Sequence, residues 1–175
     1  MADVEAFAVA VTKKTGKSAY KSLIVVRADS GIENVEQLKD RTFAFVDPSS
    51  ASGHLFPKAG LENDGYKPEV LFSRVVFSGS HDASLLAVAN KKVDAAAVAD
   101  RIYTSAIAKG QLAEGDLKVV WSSSDIPESP MVWRKDLDPS VKEKVAKLWP
   151  ILKMFLGAIK ACSMASSLPL TRLTT

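Results

Sequence analysis

The sequence predicts an α/β fold, a mostly parallel sheet covered by helices on both faces, and three observations lead there. Short runs rich in Val, Phe and Ile recur at residues 7–12, 22–27, 42–46, 70–77, 93–98 and 117–121, and most are apolar almost throughout. A strand with one wet face alternates apolar and polar residues, whereas an unbroken apolar strand is buried on both faces. Helical patterns separate most of these strands. The chain has 175 residues, 47% hydrophobic and 25% charged, which is enough for one domain or two small lobes.

Taken in order, the strand at 7–12 leads into the polar bend Lys13-Lys14-Thr15-Gly16-Lys17-Ser18, which reads as a hairpin loop before the strand at 22–27. Residues 34–39 form a short amphipathic turn. Residues 52–63 form a helix ended by Asp64-Gly65, and residues 81–90 form a helix after the Gly79-Ser80 turn. Residues 101–109 and 139–149 complete the helices. In open sheets of this kind ligands collect outside the carboxyl ends of the strands. Two turns have that placement: Asp47 to Gly53, read DPSSASG, and Ser78-Gly79-Ser80-His81.

Composition removes several classes of function. The net charge of +3 arises from mixed signs spread along the chain, so nothing in it calls for nucleic acid or a membrane surface. Lys13-Lys14 and Lys91-Lys92 read as solvated turn residues, and Trp121, Trp133 and Trp149 as packing residues. The single cysteine, Cys162, allows no internal disulfide and no cysteine zinc site. The N-terminal residues lack the basic start, apolar core and cleavage site of an export signal, and no apolar run is long enough to cross a bilayer.

The first turn sets Ser50, Ser52 and Gly53 at a helix start, where hydroxyls and free N–H groups can converge on an anion that the helix dipole also favours. On local grounds alone, a serine that caps the helix is the simpler reading. His81 opens the next helix and can donate to the same anion. Asp82 beside it is more simply an acid placed favourably in a first helical turn, and His54 a packing or surface residue. A triad of Ser50, His81 and Asp100 can be drawn, but the Gly-x-Ser-x-Gly elbow is absent. No His-Glu-x-x-His, acidic ligand cluster or Gly-Lys-Ser/Thr phosphate loop is present either, so neither a metal nor a cofactor is expected.

Four phrases together carry a more specific signal: YKSLIVVRADSGI from Tyr20, TFAFVDPSSASG from Thr42, VVFSGSHDASLLAVANKKVDAAAV from Val75 and PMVWRKDL from Pro130. In order and spacing they resemble the phosphonate, phosphite and phosphate-binding proteins of ABC importers, over residues 4–149. The resemblance implies a type II periplasmic-binding-protein-like lobe with partial pieces of the other lobe, and a hinge motion that closes the two lobes on a ligand. It implies solute capture without catalysis, an ABC permease as partner in the full-length parent, and an extracytoplasmic location. It also overturns the preference for a mere cap. The family's Ser-Thr-Ser turn and Gly-Ser-His-Asp histidine correspond to Ser50, Ser52 and His81, with Ala51 in the middle position supplying only its N–H before Gly53.

Some places depart from the pattern. Where relatives that take aminoethylphosphonate place acids against the ligand amine, this chain has Arg101 and Ser129, with Asp100 and Glu128 adjacent. Asp100 is kept as a candidate contact through a shift of one residue. The resemblance begins in mid-family, which implies a fragment: residues 1–24 a partial first lobe and hinge strand, 25–121 the second lobe, and 122–149 a return to the first. Residues 150–175 form an atypical tail. Codons for SMASSLPLTRLTT, read two nucleotides later, can encode DGKFVAADPADY, which resembles the family's ending. We expect a change of frame between residues 149 and 163, visible in the coding DNA, and no role for Cys162. A sheet cut short leaves open edges, so copies of the fragment are expected to self-associate. The alternative reading is an effector-sensing domain of a regulator or signalling protein that reuses the same fold.

Overall fold

The computed structural model describes residues 3–11, 16–155 and 162–163, and the chain divides into two compact units, residues 20–126 and residues 1–19 with 127–175. Half of the polar bend at 13–18 and most of the tail, with its expected frame change, lie outside the described residues.

In the discontinuous unit, β1 (Val4–Ala10) pairs antiparallel with β9 (Pro130–Arg134) and, at Val9 and Ala10, with β10 (Cys162–Ser163). The strand expected at 7–12 therefore begins earlier. Phe7 stacks on Trp133, 4.3 Å between ring centroids, and the Trp133 indole donates to Glu5 at 2.6 Å. Lys142 of α5 (Pro139–Phe155) donates to the same carboxylate at 2.5 Å.

The continuous unit holds a five-stranded sheet. Its strands are β3 (Ser22–Arg27), β4 (Thr42–Phe45), β5 (Arg74–Phe77), β6 (Ala95–Ala99) and β7 (Leu117–Ser122), ordered β5-β4-β6-β3-β7. Unbroken apolar strands arise because successive residues enter different cores. Ile24, Val26, Phe43 and Phe45 face a cluster with Leu38, Leu61, Leu71 and Phe72, while Val25, Ala44, Ala96 and Val98 face one with Leu85, Val88 and Ala106. Residues covering the first face come from α1 (Phe56–Asn63) and α2 (Pro68–Leu71), and those covering the second from α3 (His81–Ala89) and α4 (Asp100–Ala108). Gly60 of α1 lets the helix touch the sheet closely, since a Cβ there would lie 2.2 Å from the Trp121 ring.

The sheet is mostly parallel in strand direction, as expected, with β4, β5, β6 and β7 running one way and β3 alone reversed. β4 runs parallel to β5 and β6, but β3 is antiparallel to both β6 and β7. Apolar runs reveal burial on both faces without revealing direction. The direction follows from connectivity: the chain enters this unit through β3 and leaves through β7, and Leu23 opposite Ser122 places entry and exit at one end. The carboxyl ends of β4, β5 and β6 lie at that same end, because Ser22 pairs with Ala99. Short strands β2 (Ala19–Tyr20) and β8 (Ile126–Pro127) pair with each other where the chain passes between the units.

The strand expected at 70–77 is a second correction. Pro68 starts a single helical turn in which the Val70 and Leu71 N–H groups donate to the Lys67 carbonyl, so Val70 is 75% exposed and the strand begins only at Arg74. Residues 34–39 hold only a 3-10 turn, Glu36–Leu38.

Candidate oxyanion site

The serine turn is built from the end of β4 outward. Asp47 Oδ1 accepts from the Ser49 hydroxyl at 2.6 Å and the Ser49 N–H at 2.8 Å, and these bonds hold its carboxyl below the ordinary aspartate range. Ser50 is extended (φ −71°, ψ 122°), and its hydroxyl accepts from the Gly53 N–H at 3.0 Å. Ser50 is thus a helix cap.

After Ser50 the backbone takes a wide, π-type turn, Ala51–Leu55, before α1 begins. Pro57 accounts for the carbonyls this turn leaves open. It has no N–H to give Ser52 at π spacing or Gly53 at α spacing. Both carbonyls bond to the sheet instead: the Ser22 hydroxyl donates to Ser52 O at 2.7 Å, and the Val46 N–H donates to Gly53 O at 3.0 Å. That approach leaves no room at Gly53, where a Cβ would lie 2.4 Å from the Val46 Cβ. Ser52 is 3% exposed, and among the described residues its hydroxyl has no hydrogen-bond partner.

The second turn is tied to the first through Val46, whose carbonyl accepts from the Gly79 N–H at 2.9 Å, while Phe45 O accepts from Ser78 N at 2.9 Å. Ser80 caps α3 by accepting from Ala83 N at 3.1 Å, and the Ser78 hydroxyl lies 2.6 Å from that of fully buried Ser84. His81 follows the cap, and its Nδ1 accepts the Ala99 N–H at 3.1 Å. A backbone N–H can only donate, so Nδ1 carries a lone pair and the neutral ring carries its proton on Nε2. Burial holds the imidazole below the ordinary histidine range, the Arg101 charge adds to this, and Asp82 opposes both. His81 is therefore a neutral ring with one N–H to offer.

Asp100 heads α4. Its N–H donates to Lys21 O at 3.0 Å, and its carboxylate accepts the Arg101 N–H at 2.7 Å. Ser50, Ala51, Ser52, Gly53, His81 and Asp100 thus occupy three helix starts at one end of one sheet, linked by Val46 and Ala99. No triad relay joins them: Ser50 accepts from Gly53, Asp100 from Arg101, and Nδ1 of His81 from a main-chain amide rather than donating to a carboxylate. His54 packs edge-on to Phe45 and Phe77, and its Nδ1 lies 2.9 Å from Pro48 O. Among the described residues, no group of three or more His, Cys, Asp or Glu side chains converges.

Sequence reasoning missed Ser22 and Ser123. Ser22 is fully buried, its N–H donates to the Ser123 hydroxyl at 2.9 Å, and Ser123 N donates back to Ser22 O at 2.9 Å. The available signal was a lone hydroxyl at the head of the apolar run SLIVV.

The profile of the family described as "ABC transporter, phosphonate, periplasmic substrate-binding protein" matches residues 1–149, and the chain belongs to that family. It is 39% identical over 138 residues to the phosphonates-binding periplasmic protein of Escherichia coli, covering 74% of this chain and 39% of that one. It is 35% identical over 144 residues to the phosphate-import protein PhnD of Mycolicibacterium smegmatis, covering 77% and 44%. The chain therefore spans about two fifths of the length of these relatives. Among solved structures, a binding protein component of an ABC phosphonate transporter from Pseudomonas aeruginosa superimposes with a TM-score of 0.73 at 34% identity, covering 82% of this chain and 49% of that one. PhnD1 from Prochlorococcus marinus, in complex with methylphosphonate, gives 0.71 at 21% identity, covering 91% and 66%.

Two outcomes follow from this geometry. Ser22→Ala leaves the Ser52 carbonyl without its donor and is expected to lower stability by about 1–3 kcal/mol in urea denaturation. The His81 pKa is depressed by folding, so the unfolded chain binds the extra proton first as pH falls. Its contribution to stability is complete above about pH 6.5, the ordinary histidine value, and is lost as pH drops through the folded value. Urea midpoints of the wild type from pH 8 to pH 5 should show that loss, and His81→Asn should remove it.

Proposed function

We propose that this chain captures a phosphorus oxyanion, a phosphonate, phosphite or phosphate, for uptake by an ABC importer, and does no chemistry on it. The observation that carries this reading is the Ser52 hydroxyl, buried at the start of a helix with no hydrogen-bond partner among the described residues. Burying an unpaired hydroxyl is costly, and an oxyanion seated at the helix start would accept its proton. Ser50, the Ala51 amide and His81 Nε2–H complete the set of donors, while Gly53, whose N–H is taken by the Ser50 hydroxyl, and Asp100 border it. The names of the Escherichia coli and Mycolicibacterium smegmatis relatives, phosphonates-binding and phosphate-import, support a phosphorus head. Lack of a serine-to-histidine-to-carboxylate relay supports capture rather than turnover. The partner is then an ABC permease, and the location the periplasm or outer membrane face, as in the periplasmic relatives.

The test is an NMR titration of the chain with methylphosphonate, phosphite, phosphate and sulfate. Phosphorus oxyanions are expected to shift the amides of residues 50–53 and 81. Ser52→Ala should weaken that binding about tenfold or more without lowering the urea midpoint, because the hydroxyl has no hydrogen-bond partner among the described residues and its unpaired burial is itself costly. A drop in stability with unaltered affinity, or no shift with any phosphorus oxyanion, overturns the proposal.

We also propose that copies of the chain pair. β5 is an edge strand with Val75 38% and Phe77 49% exposed, an open template for another strand. Sedimentation equilibrium should give a mass above that of one chain, and a monomer at all concentrations counts against it.

A further inference from the structure

We propose that His54 is a positioning residue for the oxyanion site, acting through Pro48 and Ser50 to hold the serine turn in its donor geometry. This rests on the oxyanion reading above. His54 lies inside the wide turn Ala51–Leu55, just after the residues that carry the donors. Its backbone N–H donates to Ser50 O at 3.0 Å, and its ring Nδ1 lies 2.9 Å from Pro48 O. A carbonyl can only accept, so Nδ1 carries the ring proton and donates it. One residue thus grips the turn at two points. Among the described residues the Pro48 carbonyl has no other donor.

The same ring also meets the two strand ends that lead into the site. It stands 4.8 Å from Phe45, the last residue of β4, with the planes 79° apart, and 5.4 Å from Phe77, the last residue of β5, at 74°. Phe45 leads through Val46 into the serine turn, and Phe77 leads directly into Ser78-Gly79-Ser80-His81. Two near-perpendicular contacts restrain the tilt of the imidazole as well as its distance, and the tilt aims Nδ1 at Pro48. Donors that converge on one small anion bind it more tightly when they are held in place before it arrives. The two histidines therefore serve the site with opposite tautomers. His81 takes an amide on Nδ1 and keeps Nε2–H to offer, while His54 gives its Nδ1–H to the backbone.

The experiment titrates methylphosphonate into the wild type, His54→Phe and His54→Asn by NMR, and measures a urea midpoint for each. His54→Phe keeps a ring between the two phenylalanines but has no donor, whereas His54→Asn loses the ring and keeps an amide N–H near the place of Nδ1. Affinity should follow the donor and stability the ring. His54→Phe should weaken binding about fivefold with its urea midpoint kept, and His54→Asn should bind within about twofold of the wild type with its midpoint lowered. Affinities that track the urea midpoints instead, or a His54→Phe variant that binds as tightly as the wild type, overturn the role of His54 while leaving oxyanion capture standing. So does a neutral His54 ring with its proton on Nε2, which the imidazole nitrogen shifts of the wild type report without any variant. A wild type that binds no methylphosphonate overturns the oxyanion reading, and this proposal with it.

Discussion

Ser22 is the residue on which the continuous unit depends. Its amide and carbonyl clasp Ser123, which joins the strand that enters the unit to the one that leaves it, and its hydroxyl holds the Ser52 carbonyl. That last bond exists because Pro57 cannot make it. The wide turn from Ala51, the burial of Ser52 and the close fit of Gly53 on Val46 all follow from carbonyls that a regular helix would have used internally. Irregular backbone at a helix start is thus supported by a bond from a residue thirty positions earlier in the chain.

The strands were legible because burial on both faces leaves an unmistakable mark on sequence. Residues 22–27 and 42–45 carry it, and their side chains do divide between two cores. Strand direction was not legible, since nothing in SLIVVR records which way its neighbours run; the domain's entry and exit decide that. Val70 misled because β-branched residues suggest strands, while Pro68 had already set a helical turn.

Ser50 caps its helix, as the simplest reading had it, and still stands among donors at a strand end. The chemistry of His81 could not be read locally, because Ala99, eighteen residues on, fixes which ring nitrogen keeps its proton. Nor could the hydroxyl of Ser52, which no hydrogen-bonding group among the described residues reaches.

Entry and exit side by side have a consequence for how such a unit can be handled. Residues 20–126 begin and end at neighbouring points, with β2 beside β8, so the stretch has the ends of a cassette. A host loop of ordinary width could accept it without being pried apart. The same adjacency makes it a natural module for insertion into a reporter protein, where a small change at the helix starts would be felt at the joined ends.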